Sequence, residues 1–260
     1  MLVCTMVKYP SDAHLRAADK FVELFSTDKR VESILLVGSC ARGLATKDSC
    51  VDITVILDDM GDSLHFETDA NDKCLRTPEF RELERTGKFS NLDLNITDGR
   101  FKPVKRGWTS GPDNFELEIG NTFVHSHLLY DRRGRFDALR ADFLPYYDEK
   151  LRRTRYEDVK RYLFNNLEHI PLYAHRGLHF QCLERLRNAS REYLQALFIS
   201  RRIYPIAYDK WIKEQMVEML GMHRAYSDMV SLFQIVDLES GELEEKAALL
   251  RIMAERDLAQ

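Results

Sequence analysis

The chain has 260 residues, 44% of them hydrophobic and 31% charged, with a formal net charge of −4. This is an ordinary soluble globular composition, long enough for one large domain or two modest ones, each with its own core. Residues 1–130 carry 16 basic against 21 acidic side chains and the remainder 22 against 21, so there is no basic surplus of the kind a nucleic-acid partner requires, although a local basic patch is compatible with these counts.

Five cysteines, Cys4, Cys40, Cys50, Cys74 and Cys182, are odd in number and widely spaced, with no pairing at zinc-ligand spacing. They read as reduced thiols of a cytoplasmic protein. The opening MLVCTMVKYPSDAH has too short an apolar run for a signal peptide, and no window approaches a membrane span.

In chain order, Ser11 and Asp12 give a cap signal, and Leu15, Ala18, Phe21, Val22 and Phe25 follow at helical spacing, predicting a first helix. VESILLVGS and SCVDITVIL predict two strands, with a short helix or turn over CARGLATKD between them. Thr77 and Pro78 open a second helix, and SNLDLNITDGRF predicts a third strand. Here Leu92, Leu94 and Ile96 face one side, and Asp93, Asn95 and Thr97 form a polar face. NFELEIGNTFVHSHLLYD predicts further strand or strand plus turn.

After Asp131 helical patterns dominate: 156–173, 178–202, 208–220, 224–236 and 242–257, with breaks at Pro171, Gly177, Pro205, Gly221 and Gly241. The expected organisation is an α+β domain over residues 1–130, a mixed sheet with flanking helices, followed by a C-terminal helical bundle over 131–260.

The segment ILLVGSCARGLATKDSCVDITVIL concentrates the chemistry. A strand ending in Gly38-Ser39 lets the backbone approach a phosphate closely, with the Ser39 hydroxyl and nearby amides as donors. On the next strand positions 50 and 52 face the same side, and two carboxylates there would hold Mg²⁺ between them. A third carboxylate on an adjacent strand would complete a two-metal clamp for phosphoryl transfer. The sequence has Asp52, but Cys50.

These residues resemble the nucleotidyltransferase superfamily that includes DNA polymerase beta and the aminoglycoside nucleotidyltransferases. The family pattern of Gly-Ser, commonly Ala-Arg-Gly, then Ser-Asp-x-Asp in an apolar strand stands here as Gly38-Ser39, Ala41-Arg42-Gly43 and Ser49-Cys50-Val51-Asp52. The sequence of an α/β half and a helical half resembles the plan of the small-molecule enzymes. The resemblance implies that Asp52 is the second metal carboxylate, and that Asp93 is the third, binding metal or taking the acceptor proton. It also implies that Gly38 and Ser39 cradle the phosphates of ATP or another NTP, with Mg²⁺ or Mn²⁺ as cofactor and a small-molecule hydroxyl as acceptor.

Arg42 belongs to the motif and is a phosphate contact or a structural ion pair. In RRIYPIAYDKWIKEQ, Lys210 just inside a helix N-terminus is a candidate for the triphosphate, a role that a helical-domain lysine plays in the family, while Trp211 in the core is the plainer account of this stretch. Cys50 departs from the pattern, because a thiol is a poor ligand for a hard ion. Three readings follow: a weakened enzyme, a nucleotide-binding or protein-interaction module with a decayed metal site, or a site rebuilt with a carboxylate such as Asp48. Glu116 and Glu118 share a predicted strand face that is either solvated or acceptor-binding, and His125 and His127 share another but lack a third ligand for a metal.

Overall fold

The computed structural model describes residues 7–108 and 110–259. Cys4 and the start of the opening segment therefore lie outside the described residues, and the four described cysteines are free thiols. Among the described residues no helix is long and apolar enough to cross a membrane. The chain forms two compact units, Met1–Phe101 with Ile119–Leu144, and Lys102–Glu118 with Pro145–Gln260. The sequence suggested one division near residue 130; the units are discontinuous, and the 102–118 segment belongs with the helices.

The first unit is built on four strands, β1 (Val31–Leu36), β2 (Val51–Leu57), β3 (Leu92–Thr97) and β4 (His127–Asp131), in the order β3-β2-β1-β4. β2 runs antiparallel to β1 and parallel to β3, so the sheet is mixed. The fold class is α+β. Register sorts the side chains cleanly: Leu36 pairs with Ile53 and Ile34 with Val55, while Leu35 pairs with Thr54 and Ser33 with Ile56.

One face of that sheet is roofed by helices α1 (Asp12–Phe25), α3 (Ser63–Leu75) and α4 (Pro78–Thr86). Ala17, Phe21 and Phe25 of α1, Phe66 and Ala70 of α3, and Phe80 and Leu83 of α4 form a single core with Ile34, Leu36, Ile53 and Val55. Each fully buried phenylalanine there contributes about 2–3 kcal/mol. Leu15, expected on the apolar side of α1, is instead exposed, because Ala13, Ala17 and Phe21 define the stripe that meets the sheet. The opposite face carries Asp52, Thr54, Asp93 and Asn95 towards one end. At the other end Ile56 lies under Gly99, with Leu139 and Phe123 alongside. Thr97 belongs to this covered end: it is buried and its Oγ1 accepts from the Gly99 amide at 3.0 Å, so the polar face of β3 is Asp93 and Asn95 alone.

The helix over 63–75 has no counterpart in the sequence reading. Its buried stripe is only Phe66, Ala70 and Cys74, while Leu64 is exposed. The stretch read as strand from 115 onward folds instead as α5 (Phe115–Ile119) and a π-helical turn (Gly120–Val124), and only 127–131 is strand. Phe115, Ile119 and Phe123, at steps of four, are the buried side, and this helical period overrides the apparent alternation. His125 ends the π turn and His127 lies on β4, so the two do not share a strand face. The short helix α6 (Arg135–Arg140) completes the unit.

The second unit is helical: α7 (Glu149–Ala174), α8 (His179–Arg201), α9 (His223–Leu232) and α10 (Glu242–Asp257). The Asp148 side chain caps α7 by accepting from the Leu151 amide at 2.9 Å. Pro171 does not break α7: it lies in the last turn, where its missing amide costs one hydrogen bond, and the helix stops before Gly177 in the left-handed region. Between α8 and α9 the expected long helix is reduced to a π-helical turn (Glu214–Met219) behind an irregular stretch.

The side of this bundle holding α7 and α8 buries charge. Glu192 accepts from the Asn166 amide at 2.8 Å, and Arg106 lies 3.4 Å from its other oxygen. Arg185 reaches the same group through Asn166. Burial pushes the Glu192 carboxyl up to about 7, although Arg106, Asn166 and Arg185 all pull it down. The folded state then holds a proton that the unfolded chain releases near 4.5, so stability is greatest below that value and declines as pH rises towards 7. The decline attributable to this group is up to about 3 kcal/mol. Urea unfolding of the wild type and Glu192→Gln across that pH range is expected to show the steeper decline in the wild type.

Candidate functional site

The site begins where β1 ends. The Val37 amide donates to the Asp52 carbonyl at 2.9 Å, carrying the sheet one residue beyond the strand, and at Gly38 the chain turns with φ +64° into a single helical turn, α2 (Gly38–Ala41). A Cβ built on Gly38 would lie 1.9 Å from Asp52 Oδ2. Two independent requirements therefore converge on glycine here: the left-handed conformation, and a carboxylate pressed against the backbone. Ser39 is half-buried in the same turn, and its carbonyl accepts from the Leu44 amide at 2.9 Å, which holds the loop. Arg42 reaches back along that turn, donating Nε to the Gly38 carbonyl at 3.4 Å.

Parallel pairing of β2 with β3 places Asp52 directly against Asp93, and Thr54 against Asn95. Partners in register point to the same side of a sheet, with strands about 4.8 Å apart. The two carboxylates therefore form an adjacent pair on the face opposite α1, α3 and α4. Asp52 is half-buried beneath Gly38 while Asp93 is exposed, so the pair grades from a fixed to a solvent-accessible carboxylate. Asn95 Nδ2 donates to Thr54 Oγ1 at 3.5 Å one step further along.

Cys50 precedes β2 and sits in the loop. Its thiol donates to the Phe89 carbonyl at 3.2 Å, and its own carbonyl accepts from the Cys40 thiol at 3.4 Å. Cys40 is fully buried, and burial pushes its thiol up to about 12, with the charges of Asp52 and Cys50 adding to the shift. Asp48, the candidate substitute ligand, accepts from the Lys88 amide at 2.8 Å. It ties the 47–48 turn to 87–90, where Ser90 also donates to the Lys47 carbonyl.

His14 was not legible as part of this arrangement. Wholly buried near the start of α1, it donates Nε2–H to the Ser49 carbonyl at 3.0 Å and accepts from the Ser11 hydroxyl at Nδ1, 2.7 Å. It thus ties α1 to the residue before Cys50. The three-residue step from Ser11 to His14 hints at the first bond, but nothing local points to Ser49. Removing the fully buried ring takes away both hydrogen bonds and the packing of the imidazole, and His14→Ala is expected to cost about 1–3 kcal/mol in urea unfolding.

Among the described residues there is no group of three or more His, Cys, Asp and Glu side chains placed to hold a metal. Two adjacent carboxylates remain, and these suit an ion such as Mg²⁺, which takes one or two carboxylates and completes its shell from substrate phosphates and water. Asp52 and Asp93 fit that role.

The other candidates lie in the second unit. Lys210 is exposed and precedes the helical turn rather than sitting inside it; its carbonyl accepts from Gln215 Nε2 at 3.0 Å, and Gln215 also binds the backbone of Ile206 and Ala207, closing the loop. Trp211 is 39% exposed with φ +59°, not a core residue. Glu116 is fully buried on a helix, not on a strand face: it accepts from Arg155 Nε at 2.6 Å, the Tyr147 hydroxyl at 2.7 Å and Gln195 Nε2 at 2.9 Å, an internal structural role. Glu118, on the same helix, is exposed at the surface, and partial desolvation raises its carboxyl above its ordinary value.

A search of curated proteins returns no match. Residues 18–97, which hold Gly38, Ser39, Arg42, Asp52 and Asp93 and run from the middle of α1 to the end of β3, match the family model of the nucleotidyltransferase domain, and the match supports nucleotidyl transfer as the general activity.

Proposed function

We propose that the protein transfers a nucleoside monophosphate from ATP or another NTP to a hydroxyl of a small-molecule acceptor, with release of pyrophosphate. The observation that carries this reading is the in-register pair Asp52 and Asp93 beside a left-handed Gly38 whose backbone lies against the Asp52 carboxylate. The acceptor oxygen forms a bond to the α-phosphorus, the bond from that phosphorus to the bridging oxygen of pyrophosphate breaks, and the acceptor proton leaves to a base. Asp93, exposed at the edge of the pair, is suited to take that proton or to share the metal. Asp52 is suited to hold Mg²⁺ or Mn²⁺, which when bound supplies charge neutralisation on the phosphates. Gly38 and Ser39 offer close backbone approach to the phosphates. Lys210 is assigned to the triphosphate on the resemblance alone, and aminoglycoside-like acceptors rest on the same ground.

The decisive experiment supplies ATP labelled at the α-phosphate, with Mg²⁺ or Mn²⁺ and a panel of polyhydroxylated acceptors. Label moving to an acceptor with matching release of pyrophosphate is the expected result. A second reading, a nucleotide-binding module without turnover, is favoured by one observation, the Cys50 thiol engaged with the Phe89 carbonyl where the family has a metal carboxylate. Metal-dependent nucleotide binding without transfer to any acceptor would select it. Absence of both binding and transfer would reject both readings.

A further inference from the structure

The helical unit contains a cavity of about 540 Å³ lined by neither Asp52 nor Asp93. Its walls come from α8, the irregular stretch 208–212 and α9, all within that unit. The floor is apolar, with Leu194 and Met229 buried, and aromatic rings of Tyr208, Tyr226 and Phe233 line it. The size lies within the range of about 300–1,000 Å³ typical of small-ligand sites.

The net charge of the lining is positive. Arg191 is paired with Asp209 at 3.5 Å, which leaves that pair neutral. Arg187, one turn earlier on α8, is exposed and has no carboxylate partner among the described residues. The remaining lining is apolar or neutral, so the cavity presents one uncompensated cation beside an aromatic interior. Val230 and Phe233 are 45% and 47% exposed at this opening, apolar surface that an occupant would cover.

We propose that this cavity binds a small amphipathic organic anion, with its apolar body among Tyr226, Met229 and Phe233 and its acidic group on Arg187.

The test uses two probes that share one aromatic body, 8-anilinonaphthalene-1-sulfonate and the neutral N-phenyl-1-naphthylamine, titrated by fluorescence into the full chain. Saturable binding at one site per chain, with the anion preferred, is expected for the wild type. Arg187→Glu, on an exposed side chain, is expected to weaken the sulfonate by roughly tenfold and leave the neutral probe unchanged. Val230→Trp at the rim is expected to weaken both, with circular dichroism reporting an intact fold. Non-saturable binding, or binding that neither substitution changes, would overturn the proposal. Equal affinity for both probes in the wild type would overturn the anionic assignment.

Discussion

Asp52→Asn is expected to reduce nucleotide turnover by about a thousandfold or more while leaving unfolding by urea nearly unchanged. The substitution keeps the shape of the side chain, so the close contact with Gly38 survives and the Val37 amide keeps its bond to the position-52 carbonyl. What disappears is the charge of the better-fixed carboxylate in a pair that has no third member among the described residues. With only Asp93 left, a divalent ion would depend on substrate oxygens and water for nearly its whole shell. Asp93→Asn is expected to fall in the same range, and a transfer assay on the two variants checks both. Turnover within a few-fold of wild type in Asp52→Asn would mean that the carboxylate pair is not where the chemistry occurs.

Arg155→Met is expected to cost about 3–5 kcal/mol of stability at neutral pH. Arg155 binds Glu116 through Nε and Nη2, each at 2.6 Å, and Asp113 through Nη1 and Nη2, at 3.1 and 2.7 Å. It also stacks over the Phe115 ring. All three charged groups are buried. Burial alone would push the Asp113 carboxyl up, but the hydrogen bonds and charge of Arg155 outweigh it and hold the group below its ordinary value. Methionine fills the volume and leaves two buried carboxylates facing each other. Asp113, no longer held down by Arg155, would then protonate more readily in the folded state, so the deficit should shrink as pH falls. A triple variant that adds Glu116→Gln and Asp113→Asn is expected to recover at least half the loss. Urea unfolding at neutral and acidic pH measures all of these.

Local signals were legible where the determinant was local. The Gly38-Ser39 turn, the apolar run of β2 and the helix-opening Thr77-Pro78 follow from neighbouring residues, and the structure places each as expected. The alignment of Asp52 with Asp93 was not readable, because parallel register is set by pairing across forty residues and by the α3 and α4 crossover between the strands. Glu116 was misplaced for a different reason. FELEI alternates like a strand over five residues, and only the longer step from Phe115 to Phe123 shows the helical period that buries it. A core place for Trp211 was the plainer of two accounts of its stretch, yet the residue has a left-handed backbone and lies 39% exposed at the surface. His14 illustrates the same limit at the site itself: its contact to Ser49 spans 35 residues.

The most direct test of the central claim, that Asp52 and Asp93 form a metal-assisted phosphate site weakened by Cys50, is calorimetric titration of ATP with and without Mg²⁺. It is made on the wild type, Asp52→Asn and Cys50→Asp. Binding that requires Mg²⁺, weakens in Asp52→Asn and tightens in Cys50→Asp is the predicted result. ATP binding that is indifferent to Mg²⁺ and to both substitutions, or no binding in any of the three proteins, would contradict it.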